Sequence, residues 1–83
     1  MGKYERLLTR IVHGKSDTEI AFANLCYLLE WLGFAARVWG GHHMYRKEGI
    51  TEKINLQKEG GKAKPYQVRQ VRNIILKYKL GDR

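Results

Sequence analysis

The pair Gly40-Gly41 stands between two short runs of alternating residues, and a tight antiparallel hairpin is the arrangement that satisfies both. Glycine supplies the positive φ that such a turn demands. Upstream, Phe34, Ala36 and Val38 share one parity and Ala35, Arg37 and Trp39 the other, the spacing of a half-buried strand. Downstream, His42 to Arg46 or Lys47 predicts a second strand, Glu48-Gly49 a turn, and Thr51 to Gln57 a third strand.

Helical spacing surrounds this sheet. Tyr4, Leu7, Leu8 and Ile11 predict an amphipathic helix over Lys3 to Val12, ending near His13-Gly14. Ser16-Asp17-Thr18-Glu19 has the form of a capping box that opens a second helix. Its stripe is Phe22, Leu25, Cys26 and Leu29, widened by Leu28, Trp31 and Leu32, with Gly33 as the stop. After a basic flexible loop at 58–64, Pro65 is placed to open a last helix from Tyr66 to Leu80, which Gly81 ends. Val68, Val71, Ile74, Ile75 and Tyr78 form its core side, with Arg69, Arg72, Lys77 and Lys79 on its exposed surface. The order α-α-β-β-β-α predicts an α+β fold in which helices cover one face of a three-stranded antiparallel sheet and leave the other for a ligand. Residues 1–83 read as a single domain.

Charge narrows the class of partner. The net charge is +8, and residues 58–83 hold eight Lys and Arg against two acids, whereas residues 1–57 hold eight against six. Such a gradient favours polyanions and salt-sensitive binding to nucleic acid. Cys26 is the single cysteine, so a disulfide framework is excluded and a reducing cytoplasm fits. No apolar run approaches the ~20 residues needed to span a bilayer, and the N-terminus lacks the apolar stretch of a secretory signal; a non-membrane, cytoplasmic protein is expected.

The dipeptide His42-His43 adds chemistry to that charge, because imidazole is the side chain suited to proton transfer near neutral pH. In a strand, His42 shares a face with Met44 and His43 with Tyr45, so only one imidazole faces the core. Adjacent histidines without CxxC or HExxH spacing make a poor metal-ligand set, and neither a Ser-His-Asp arrangement nor a P-loop is present. No metal or cofactor is expected. What remains is phosphodiester cleavage in which a ribose 2′-OH attacks its own phosphate, the protein supplying a general base or acid and cations such as Arg46, Lys53 and Lys64. Tyr45 reads as a core aromatic, and Trp39, beside the glycines, as the residue on which an unstacked base would rest.

At these residues the chain resembles the small toxins of HicA type, ribosome-independent mRNA interferases of bacterial toxin-antitoxin pairs. Gly40-Gly41-His42-His43-Met44-Tyr45 is similar to their Gly-Ser-His-His-x-aromatic segment, and Lys64-Pro65-Tyr66-Gln67-Val68-Arg69-Gln70-Val71-Arg72, with Leu56-Gln57, looks like the pattern of their longer subgroup. The resemblance covers most of the chain. It implies a fold similar to the double-stranded-RNA-binding domain, with an added N-terminal helix, mRNA as substrate, and an antitoxin partner of HicB type that covers the active site. It places the catalytic histidine on His42 or His43, and strand parity favours His42. Gly40, Gly41, Trp39, Arg46, Lys62, Lys64, Arg69 and Arg72 are then the expected RNA contacts. Gly41 occupies the slot where the family has Ser, so a hydroxyl role there is missing from this chain.

Two other readings use the same residues. A non-catalytic RNA-binding module would contact 2′-OH groups and phosphates of a duplex and generate no new RNA ends. An interaction module for an acidic protein would show no RNA affinity even at low salt.

Overall fold

The computed structural model describes residues 2–14 and 17–81. Helix α1 (Lys3–His13) is followed by a short 3-10 turn (Asp17–Glu19), helix α2 (Phe22–Trp31), strands β1 (Ala35–Trp39), β2 (His42–Arg46) and β3 (Ile54–Gln57), and helix α3 (Pro65–Lys77). The sheet order is β1-β2-β3, all antiparallel, in the expected α-α-β-β-β-α sequence.

Each helix is shaped by local chemistry. Leu7, Leu8 and Ile11 give α1 its buried side, and Gly14 ends it with φ 72, its N–H reaching the carbonyls of Arg10 and Ile11. In α2, Leu25, Leu28 and Leu29 are fully buried, each contributing roughly 1.5–3 kcal/mol to the core. Gly33 takes φ 100 just beyond α2, which lets the Phe34 N–H return to the Leu29 carbonyl at 3.0 Å and sends the Phe34 ring into the core. Phe34 therefore closes the helix rather than opening the strand.

The start of α2 departs from expectation. Ser16 lies outside the described residues, and Asp17 and Glu19 form the 3-10 turn, so the helix begins only at Phe22. The reason is tertiary: Ala63 N–H bonds the Ile20 carbonyl at 2.8 Å and Phe22 N–H bonds the Gly61 carbonyl at 3.0 Å, holding Ala21 extended in an antiparallel bridge to Lys62 of the basic loop. Asp17 and Glu19 are drawn to Arg72 and Lys62.

Alternation along β2 and β3 buries Tyr45, Ile54 and Leu56 under the helices and leaves the other face open. β3 is shorter than the expected 51–57. β1 is exposed along its whole length, because it is an edge strand that the helical layer does not cover, so its alternation sets parity without burial. α3 starts at Pro65 and stops three residues before Leu80: Lys79 takes φ 55 and the Leu80 N–H closes on the Ile75 carbonyl at 2.9 Å. Gly81 is therefore not the terminator.

Candidate functional site on the open face of the sheet

Register assembles the site. Trp39 pairs with His42 and His42 with Gln57, while Arg37 pairs with Met44 and Met44 with Asn55. All six lie on the face away from the helices, joined by Arg46 two residues beyond Met44. Gly40, with φ 57, and Gly41 form the two-residue turn above this row, and the Gly41 carbonyl is held by the Lys58 N–H at 2.9 Å. The expected Trp39, Gly40, Gly41 and His42 are thus brought together at one end of the sheet, and Arg46 shares their face.

His42 is exposed, and its ring lies near-parallel to the Trp39 indole with centroids 6.1 Å apart. A depression of about 220 Å³ opens beside them, bounded also by Asn55, Gln57 and Tyr66. This places a proton-transfer group, an exposed indole and two guanidinium-bearing residues on one surface.

His43 points the other way, as parity requires. It is half-buried, edge-on to Phe22 at 5.0 Å and parallel to Tyr45 at 6.5 Å, with Nδ1 3.9 Å from the Cys26 sulfur. The two lie against a groove of about 400 Å³ between α2 and β1. Desolvation pushes the Cys26 thiol above its ordinary range, which favours the protonated form over the thiolate. Tyr45, fully buried, is raised by the same cause, with Cys26 adding to it.

The basic residues divide. Arg69 is exposed on α3. Lys62 pairs with Glu19 at 3.0 Å and Lys64 with Glu59 at 2.5 Å, both at the surface, and Glu59 raises the Lys64 pKa. Arg72, expected on the exposed surface as an RNA contact, is turned inward: its Nε–H donates to the Ile11 carbonyl at 2.6 Å and its terminal nitrogen pairs with Asp17. The last turn of α1 presents carbonyls at the negative pole of its dipole, and the Ile11 oxygen has a lone pair beyond the one facing the Gly14 N–H, an environment that captures the guanidinium.

Four residues beside this site were not among the expected RNA contacts: Arg37, Asn55 and Gln57 of the sheet and Tyr66 of α3, although Gln57 and Tyr66 fall in the segments that carry the resemblance. Register across the hairpin, counted outward from Gly40-Gly41, is the signal that would have found the first three. Gln67, within the same Lys64–Arg72 segment, supports the site from behind. It is buried, its side-chain oxygen accepts the Lys64 N–H at 3.3 Å, and its amide nitrogen donates to the Gln57 carbonyl at 3.3 Å.

Among the described residues, no three His, Cys, Asp or Glu side chains cluster closely enough to hold a metal ion, and no helix is long and apolar enough to cross a membrane. No protein-family model, no curated protein and no solved structure matches the chain.

Proposed function

We propose that this protein is a metal-independent endoribonuclease, an mRNA interferase of HicA type that acts in the cytoplasm as the toxin of a toxin-antitoxin pair and inhibits translation by cutting mRNA. One observation carries the reading: the exposed His42 imidazole sits at the glycine turn on the open sheet face, against Trp39 and in a row with Arg37 and Arg46. The sequence resemblance supplies the toxin class and the HicB-type antitoxin partner.

The chemistry needs few parts. The ribose 2′-oxygen attacks the adjacent phosphorus, the bond from phosphorus to the 5′-oxygen breaks, and a 2′,3′-cyclic phosphate remains. The proton of the 2′-OH must leave and the departing 5′-oxygen must gain one; His42 serves one transfer as general base or acid, and water serves the other. Arg37 and Arg46 offset charge developing on the phosphorane oxygens. Gly40 and Gly41 leave the turn free of side chains, so the RNA backbone can approach closely.

The test is end-mapping of a long single-stranded RNA incubated with the protein and with His42→Ala, each with and without a chelator. Chelator-resistant cuts bearing cyclic phosphate ends, lost in the variant, are expected. Intact RNA with retained binding would replace this reading with a non-catalytic RNA-binding module. Absence of RNA affinity at low salt would discard both.

A further inference from the structure

The depression beside His42 is built for more than a phosphate. Trp39 and Tyr66 are 49% and 53% exposed, a large amount of aromatic surface for a basic face to leave in water. They come from different elements, the end of β1 and the first turn of α3, yet border the same hollow of about 220 Å³. Its floor includes Asn55 and Gln57, exposed residues at alternate positions of β3 whose amides each carry a donor next to an acceptor. Aromatic rings beside paired amides form a surface complementary to one unstacked nucleobase: the rings take its face and the amides take its edge.

The walls of the hollow are fixed relative to one another. Gln67 donates to the Gln57 carbonyl and accepts the Lys64 N–H, which ties the end of β3 to the first turn of α3, where Tyr66 sits. Trp39 is held by its register pairing with His42 and by the near-parallel imidazole. A base seated there would lie next to the imidazole, so its own phosphate would fall within reach of His42.

We propose that Trp39, Tyr66, Asn55 and Gln57 form a base-reading subsite that selects the nucleotide flanking the scissile phosphate, with adenine as the best match, because its larger purine face covers more of the two rings and an amide pairs with its N6–H₂ donor and N7 acceptor. This rests on the ribonuclease reading of His42 and deepens it from a general RNA substrate to single-stranded RNA with a preferred base.

The experiment separates the two claims. In a Trp31→Phe background, Trp39 is the single indole, and 2′-O-methyl probes, which lack the nucleophile, are not consumed while His42 stays in place. Fluorescence is followed as short single-stranded oligoadenylate, oligouridylate or an abasic ribose-phosphate chain is added. Oligoadenylate is expected to quench Trp39 and to bind about tenfold more tightly than oligouridylate, with the abasic chain weakest. Asn55→Ala/Gln57→Ala should reduce the preference between bases, and Tyr66→Ala should weaken both base-bearing probes. Equal affinity for abasic and base-bearing chains, or an unchanged preference in the double variant, overturns the subsite. An active enzyme whose mapped cuts show no flanking-base bias overturns the subsite and leaves the ribonuclease reading intact. Base-dependent quenching in a protein that never cuts does the reverse.

Discussion

The Nε–H of Arg72 donates to the backbone carbonyl of Ile11 at 2.6 Å, joining the middle of α3 to the last turn of α1. Asp17 receives the other end of the guanidinium, which also lies against Gly14. The group is largely sequestered, so charge-assisted bonds here retain strength that a surface pair loses to water. Arg72→Ala is expected to destabilise the fold by about 2–3 kcal/mol in urea titration, since it leaves Asp17 without its cation and removes a charge-assisted bond from the Ile11 carbonyl. Arg69→Ala, on the exposed side of the same helix, should leave stability within about 0.5 kcal/mol and instead lower the salt slope of RNA binding by about one.

His42 and His43 should separate just as cleanly. His43 fills a niche against Phe22 and Tyr45, and His43→Ala is expected to cost about 1–2 kcal/mol of stability. His43→Phe restores ring packing and should recover that stability and retain RNA cleavage, whereas His42→Phe should fold normally and fail to cut. Loss of cleavage in a fully folded His43→Phe would move the proton-transfer role to the inner imidazole.

The elements that were legible in the sequence are those set by short-range rules. Gly33 and Gly40 demand special backbone angles, and the alternation that follows them is enough to place Tyr45 in the core and His42 outside it. What was hidden depends on distant partners. An arginine on a helix reads as solvated, and nothing local shows that Arg72 meets a carbonyl 61 residues away. The Ser16-Glu19 segment reads as a capping box, but the pairing of residues 20–22 with 61–63 delays α2 to Phe22. Parity likewise says nothing of coverage, which is why β1 alternates yet is exposed throughout. The gathering of Tyr66 with Asn55 and Gln57 needs the packing of α3 against β3, a relation no local pattern encodes.

Lys79 carries the chain out of α3 in the left-handed region, φ 55, where a Cβ is unfavourable. The Leu80 N–H to Ile75 carbonyl bond depends on that conformation. Lys79→Gly should therefore stabilise the protein by about 1 kcal/mol, a rise in Tm of about 4–8 °C by calorimetry for a domain of this size. Lys79→Val, β-branched, should lower it.

Glu52 accepts hydrogen bonds from Lys77 at 2.6 Å and from the Tyr78 hydroxyl, and these partners hold its carboxyl at about 2 against an ordinary 4.5. The unfolded chain therefore takes up this proton at higher pH than the folded one, so the contribution is complete above pH 4.5 and is lost as pH falls from 4.5 towards 2. In thermal melts across that window, Glu52→Gln should flatten the fall in Tm with acid. Parallel slopes for the two proteins would show that Glu52 is not a source of the acid sensitivity.

Gly41 offers a gain-of-function test. Unlike Gly40, it does not occupy the left-handed region, and a Cβ there would meet only the Lys58 carbonyl oxygen at 3.8 Å, an ordinary contact. Serine therefore fits without moving the turn, and by narrowing the unfolded ensemble Gly41→Ser should add about 0.4–1 kcal/mol of stability. The new hydroxyl would stand next to His42 at the mouth of the site, able to donate to a phosphate oxygen. A hydrogen bond to a charged group that strengthens in the transition state is worth about tenfold in rate, so cleavage of single-stranded RNA should rise by about that factor. Comparison with Gly41→Ala, which shares the backbone effect and lacks the oxygen, isolates the hydroxyl. If both variants gain equally, the benefit comes from stiffening the turn; if serine alone gains, a hydroxyl at this position assists the proposed cleavage and its absence from this chain limits the rate.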